Sequence, residues 1–135
     1  MYLFDTDVIT NLLKKKPSPS FIRHLRKVTP EEQHISVITV AEIVYGAEKS
    51  LRPAYHLKNL EEILLPEVSV IEFDVEAAYI AGKIRARLEK MGLPLAWADI
   101  QISAIAIAHD MTLITGNIRH FSRIPNLDVE NWLND

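Results

Sequence analysis

Cysteine is absent from the 135-residue sequence, and its absence excludes three kinds of chemistry. Disulfide bonds, thiol catalysis and thiolate zinc sites all require this residue. A chain without cysteine is compatible with a reducing environment, so we expect a cytoplasmic protein.

Long hydrophobic runs are absent as well. The longest apolar stretch covers residues 100–108, is interrupted by Gln101 and Ser103, and falls far short of the roughly 20 residues that cross a bilayer. The opening MYLFD also lacks the basic start and the apolar core of a signal peptide. We therefore expect no membrane partner.

An excess of positive charge is the third absence. The formal net charge of -3 gives the whole molecule no attraction for nucleic acid, so an anionic substrate would need a local basic patch or a bound metal ion.

What is present is enough apolar material for one core, since 48% of the residues are hydrophobic. We expect a single domain spanning residues 1–135.

Short apolar runs alternate with longer helical patterns along the chain. This alternation predicts an α/β fold, with a mostly parallel central sheet flanked by helices. The predicted strands cover residues 2–5, 35–38, 68–73, 112–115 and 127–129. The predicted helices cover residues 8–16, 20–28, 40–50, 54–65, 75–91 and 97–109. Asp74 and Gly92 are the expected N-cap and stop of the fifth helix.

Carboxylates and other polar side chains occur where predicted strands end and predicted helices begin. In a parallel sheet, strand ends and the starts of the following helices lie on the same rim, which is where such sheets bind ligands. We expect six side chains to gather on this rim: Asp5, Asp7, Glu42, Asp99, Thr115 and Asn117.

Each of these acids has a structural explanation that needs no ligand. Residues 39–42 fit a capping box that ends in Glu42, Asp7 fits an N-cap, and Asp99 fits the positive end of a helix dipole. Asp5 is harder to explain, because it ends a strand and has no basic partner nearby in the sequence. Their common position on one rim favours a site.

Several carboxylates on a partly buried rim need a counter-charge, because like charges raise the pKa of one another. Oxygen ligands without cysteine or paired histidines suit Mg²⁺ or Mn²⁺. Such an ion binds phosphates and activates water for attack at phosphorus. The expected chemistry is phosphodiester hydrolysis at an ion around which these oxygens converge.

The chain resembles the PIN domain, and within that family the VapC-type toxins of bacterial toxin–antitoxin pairs. The resemblance rests on four strings that occur in the same order over nearly the whole chain: YLFDTDVI, ISVITVAEIVYGAEK, LAWADIQISAIAIAHDMTLITGNIRHF and IPNLDVENW. It implies a PIN-like three-layer sandwich, Mg²⁺-dependent endoribonuclease activity on RNA, a cognate antitoxin protein as partner, and a homodimer.

The resemblance also implies roles for individual residues. Asp5, Glu42 and Asp99 match the acidic triad that binds the metal ion and catalyses cleavage. Asn117 matches a fourth position, where its missing charge leaves open whether one or two metal ions bind. Asp7 matches a position that orients Asp5.

Other residues have roles that the chemistry of the site suggests. Thr6 or Thr115 would steer the attacking water by hydrogen bonding. Arg119 and His120 would contact substrate phosphates, with a solvated loop as the alternative. A basic cluster would follow an RNA backbone, with a solvated polar face as the alternative: it comprises Lys14, Lys15, Lys16, Arg23, Arg26 and Lys27.

Three competing functions share parts of this pattern. Asp5-Thr6-Asp7 matches the D-x-D start of a phosphatase, but that mechanism and a phosphoacceptor domain both need a lysine after Thr115, and none follows. The third is a catalytically silent PIN-fold protein that only binds a partner.

Overall fold

The computed structural model describes residues 1–134 and contains one five-stranded sheet in the order β3-β2-β1-β4-β5. All four neighbouring pairs are parallel, as the alternation in the sequence predicts. The strands are short: β1 is Tyr2–Phe4, β2 Gln33–Ser36, β3 Ser69–Ile71, β4 Thr112–Ile114 and β5 Val129–Glu130.

Helices connect these strands. They are α1 Thr6–Leu12, α2 Pro19–Leu25, α3 Val37–Lys49, α4 Pro53–Asn59, α5 Val75–Lys90, α6 Trp97–Ala108 and α7 Ile118–Phe121. The predicted helix 54–65 is divided, because α4 continues as a π-helical turn, Leu60–Leu64, and a 3₁₀ turn, Leu65–Glu67. A second 3₁₀ turn covers Pro30–Glu32.

Two hydrophobic clusters pack on opposite faces of the sheet, because successive side chains of a strand point to opposite sides. Leu3 and Leu113 face a cluster built with α5 and α6. Phe4 and Ile114 face the other cluster, which contains residues of α1 and α2 together with Trp132. The result is the expected three-layer α/β architecture. Since both clusters share one sheet, we infer a single domain.

Side-chain caps explain where several helices begin and end. The Asp74 carboxylate accepts a hydrogen bond from Ala77 N at 3.0 Å, and Gly92 adopts a φ of 70° just after α5, so both predicted limits of this helix are confirmed. Helix α1 ends earlier than predicted. The Asn11 side chain accepts a hydrogen bond from Ser18 N at 2.8 Å and turns the chain back.

The start of α3 differs from the prediction. Ser36 is the N-cap, because its hydroxyl accepts a hydrogen bond from Thr39 N at 3.0 Å. The predicted capping box that begins at Thr39 is therefore wrong, and Glu42 lies in the second turn of α3 rather than the first. Within residues 1–134, no helix is both long and apolar enough to span a membrane.

Candidate active site

The sheet reverses its direction of growth at β1, which has β2 on one side and β4 on the other. Open α/β sheets bind ligands at such a switch point, beyond the carboxyl ends of the strands. Asp5 directly follows β1 and Thr115 directly follows β4, so both side chains stand at this edge. A cavity of about 510 Å³ opens there.

The cavity brings together most of the residues that the sequence places on the rim. Its walls include Thr6 and five of the six expected rim residues, namely Asp5, Asp7, Glu42, Asp99 and Asn117. Thr115 is buried beneath the cavity and donates a hydrogen bond to Asp5. Arg119 lies on the exposed surface of α7 and is not one of the wall residues. The structure thus joins segments more than a hundred residues apart.

Asp5 is the most buried acid of the cavity, with 6% of its surface exposed. It both ends β1 and caps α1: Thr6 N donates to Oδ1 at 2.8 Å, and the Thr115 hydroxyl donates to Oδ2 at 2.8 Å. Burial, followed by the charges of Asp7 and Asp99, raises its pKa from 3.8 to about 7, although both hydrogen bonds act in the opposite direction. Among residues 1–134, no positive charge offsets these effects on the Asp5 carboxyl.

Asp7 is fixed to the loop that follows β4. Gly116 N donates a hydrogen bond to its Oδ2 at 3.0 Å, and the Thr115 hydroxyl lies 3.4 Å from its Oδ1. A Cβ atom on Gly116 would stand 2.7 Å from Leu133 Cδ1 and 2.9 Å from Asp7 Oδ2, so a larger residue here would displace both side chains. Asp7 lies in the first turn of α1 and is not its N-cap, which is Asp5. It acts on Asp5 through its charge and the shared Thr115 hydroxyl.

Glu42 is an exposed side chain on the opposite wall, held by Thr6. The Thr6 hydroxyl donates a hydrogen bond to Glu42 Oε1 at 2.6 Å and lies 3.1 Å from the Thr39 hydroxyl. This contact joins the start of α1 to α3 across 36 residues of sequence. The place of Thr39 in the site does not follow from the sequence, where its pattern is that of a helix cap.

Asp99 is half-buried in the first turn of α6. Burial and the charge of Glu42 raise its pKa, Asp7 adds to this effect, and His120 lowers it. The Asn117 amide nitrogen lies 2.8 Å from His120 Nδ1, so the loop after β4 directs a titratable ring toward this end of the cavity.

Three further wall residues do not belong to the predicted rim: Thr10, Lys14 and Phe121. Thr10 follows Thr6 by four residues on α1, and helical spacing therefore places both on one face. The same spacing, applied to the sequence of α1, would have predicted that Thr10 lies beside Thr6 in the site. Lys14 is the one member of the predicted basic cluster that forms part of the cavity wall.

The oxygen atoms of the cavity fit a hard divalent cation in chemistry, but they are not gathered into a finished ligand set. Among residues 1–134, no three histidine, aspartate or glutamate side chains lie close enough together to form a metal site as they stand. The expected tight convergence is therefore not observed. Mg²⁺ is commonly held through one or two carboxylates and several waters, so widely spaced acids suit a hydrated ion. The raised pKa of Asp5 marks where positive charge is needed.

Comparison with known proteins yields full-length similarities. A family model described as the PIN domain matches residues 2–127. The chain is 34% identical to the tRNA(fMet)-specific endonuclease VapC of Salmonella typhimurium, over 97% of both proteins. It is 35% identical to ribonuclease VapC2 of Rickettsia felis, over 98% of both.

Solved structures give the same relationship. The crystal structure of VapBC2 from Rickettsia felis bound to a promoter DNA fragment contains a chain that matches with a TM-score of 0.89 and 34% identity, over 97% of this chain and 98% of that one. A chain of VapBC-1 from nontypeable Haemophilus influenzae matches with a TM-score of 0.89 and 28% identity, over 98% of both chains.

Proposed function

Because the chain belongs to the PIN domain family, we propose that it is a metal-dependent endoribonuclease that hydrolyses RNA phosphodiester bonds, and the toxin of a toxin–antitoxin pair. The observation that carries this proposal is the cavity at the switch point, which four carboxylates line in a chain similar over its full length to named ribonucleases. Nucleases of this family depend on metal ions in general.

We further propose that the ion is Mg²⁺, with Mn²⁺ as a substitute, and that Asp5, Glu42 and Asp99 hold it. When bound, such an ion supplies charge to the scissile phosphate and lowers the pKa of a bound water. The protein holds the acidic side chains in place around the ion. Thr115 and the backbone of Thr6 fix Asp5, while the Thr6 hydroxyl fixes Glu42.

The other cavity residues support the substrate. The charge of Lys14 on the wall offsets that of a substrate phosphate. Asn117 and His120 form a hydrogen-bonded pair beside Asp99. Arg119 precedes His120 on α7 and carries a positive charge. Asp7 is a positioning residue that ties α1 to the loop after β4.

The partners we propose follow from relatives that are at least 28% identical. VapBC structures from Rickettsia felis and Haemophilus influenzae contain chains with this fold in complex with their antitoxins. We infer that this chain likewise binds an antitoxin, forms a homodimer and acts in the cytoplasm. Co-expression with the antitoxin, followed by mass measurement of the purified complex, tests both assemblies.

Initiator tRNA is the first substrate to test, because the relatives from Salmonella typhimurium and Shigella flexneri are both named tRNA(fMet)-specific endonucleases. The purified protein is incubated with initiator tRNA, an elongator tRNA and an unstructured RNA, in Mg²⁺, in Mn²⁺ and in EDTA. We expect cleavage in either metal and none in EDTA.

Matched variants distinguish the loss of a proposed catalytic acid from the loss of any negative charge. Glu42→Gln and Asp99→Asn are expected to abolish cleavage, whereas Glu48→Gln removes an exposed carboxylate from the same helix as Glu42 and is expected to leave it intact. Equal cleavage by all three variants would show that cleavage does not require Glu42 or Asp99. A parent protein that binds its antitoxin and cuts no RNA would be the silent binding protein.

A further inference from the structure

A second groove opens from the acidic cavity along α3. Its volume is about 270 Å³, and it shares three wall residues with the acidic cavity, namely Thr6, Thr10 and Glu42. A molecule that reaches the carboxylates can therefore extend into this groove without leaving the surface. Its far end is formed by Ser50 and His56.

The groove exists because α3 carries small residues on the face that Glu42 occupies. Glu42 and Gly46 are spaced four residues apart, so they lie on one side of the helix, and Ser50 is the C-cap that follows it. A glycine inside a helix, such as Gly46, is less favourable than an alanine. A Cβ atom at this position would meet nothing within 4 Å, so packing inside the chain does not require a glycine there.

The surroundings of the groove suit one nucleotide of a single RNA strand. Leu13, Ile43 and Ala47 supply apolar surface for the faces of a base, and His56 supplies polar ring nitrogens at the far end. On the adjacent turn of α3, the Tyr45 ring is 64% exposed. Base-stacking aromatic rings beside positive charge are the usual elements of single-strand binding surfaces.

Positive charge is present at both ends of the combined path. Lys14 forms part of the acidic cavity, and the Lys49 ammonium donates a hydrogen bond to the Tyr45 hydroxyl at 3.1 Å beside the second groove. The Arg52 guanidinium lies 4.1 Å from the centre of the Tyr55 ring, next to His56. Phosphates on either side of the acids would each meet a cation.

We propose that this groove binds the nucleotide next to the scissile phosphate, and that Gly46 is the residue that admits it. The inference rests on the proposed ribonuclease function and adds to it a binding position and a residue that limits what fits. A larger side chain at position 46 fills the groove and leaves the residues of the acidic cavity unchanged.

The test compares Gly46→Leu with Gly82→Leu. Gly82 is also an exposed glycine inside a helix, and a Cβ atom added to it would meet nothing within 4 Å, but it lies on α5 and belongs to neither cavity. Both changes improve helix propensity, so both proteins should fold. Binding of fluorescein-labelled bulk tRNA is measured by anisotropy in an Asp99→Asn background, which keeps the RNA intact.

We expect Gly46→Leu to weaken tRNA binding at least about tenfold, the loss that removing one stacked base produces, and Gly82→Leu to have no effect. In proteins that retain Asp99, both should keep the rise in melting temperature that Mn²⁺ gives the parent. Gly46→Ala should fall between the parent and Gly46→Leu.

Three results for Gly46→Leu would overturn the inference. The variant could bind tRNA as tightly as the parent, or it could lose the Mn²⁺ effect on melting temperature together with RNA binding. It could also lose antitoxin binding while it still binds RNA. The last would assign the groove to a protein segment. A parent protein that cuts no RNA in Mg²⁺ or Mn²⁺ would instead refute the ribonuclease function, so the two failures are distinguishable.

Discussion

Replacing Asp5 by asparagine should stabilise the metal-free protein, even though it should abolish cleavage. Asparagine fits the same place: its Oδ1 can accept from Thr6 N, and its Nδ2 can donate to the Thr115 hydroxyl, which then turns toward Asp7 at 3.4 Å. Asparagine also caps helices as well as aspartate does. The substitution removes an ionisable group from a buried position and keeps the hydrogen bonds.

The size of the effect follows from the pKa of Asp5, which rises from 3.8 to about 7 on folding. Between these pH values the folded state binds more protons than the unfolded state, so the free energy of unfolding decreases as pH rises. With about 1.4 kcal/mol for each pH unit, the carboxyl costs about 1.5 kcal/mol at pH 5 and about 4 kcal/mol at pH 8. The advantage of Asp5→Asn should therefore grow by about 2–3 kcal/mol between these conditions.

Urea unfolding in EDTA at pH 5, 6.5 and 8 measures this difference, with Glu48→Gln as the control for losing one negative charge. A stability difference between Asp5→Asn and the parent that is the same at pH 5 and pH 8 would refute the reasoning. So would a variant less stable than the parent at pH 8. Added Mn²⁺ should narrow the difference at pH 8, because an ion that binds only the folded parent stabilises it.

Three further substitutions test other contacts. Thr6→Val removes the hydroxyl that holds Glu42 and keeps the side-chain shape, so RNA cleavage should fall by about tenfold with little change in melting temperature; unchanged cleavage would make that contact dispensable. Gly116→Ala places a Cβ too close to the side chains of Leu133 and Asp7 and should lower the free energy of unfolding by about 1–2 kcal/mol, which a urea midpoint equal to the parent's would contradict. Trp132→Ala removes a ring that is 3% exposed and packs on four other aromatic rings, and should cost about 3–5 kcal/mol; a loss below about 1 kcal/mol would place this ring outside the core.

The order of strands and helices is predictable from this sequence, because buried parallel strands and the helices between them leave different apolar periods. The predicted strands at residues 2–5 and 112–115 each exceed β1 and β4 by a single residue. Each run ends at a polar residue of the site, Asp5 or Thr115. The gathering of acids on one rim follows from the same parallel topology.

The start of α3 is not predictable from residue preferences. Residues 35–38 contain three β-branched side chains, Ile35, Val37 and Ile38, which favour a strand. The Ser36 hydroxyl nevertheless caps a helix from Val37 onward. A cap and its packing outweigh a weak intrinsic preference, and they move Glu42 from the first turn of α3 to the second.

The contacts that position the acids also cannot be predicted from the sequence. Glu42 depends on Thr6 and Asp7 depends on Gly116, pairs separated by 36 and 109 residues. Such pairs follow from side-chain directions in the assembled sheet, and periodicity carries no information about them. The same holds for the separation of the acids, which is wider than we expect from the sequence.

The central place of β1 has a consequence for biosynthesis. This strand is synthesised before the other four, yet one of its two neighbours is β4, and the hydroxyl that holds Asp5 belongs to Thr115, 110 residues later. A nascent chain on the ribosome therefore carries Asp5 and Glu42 without the strand that completes their surroundings. The proposed cleavage site therefore cannot be assembled until α6 and β4, which supply Asp99 and a neighbour of β1, have been synthesised.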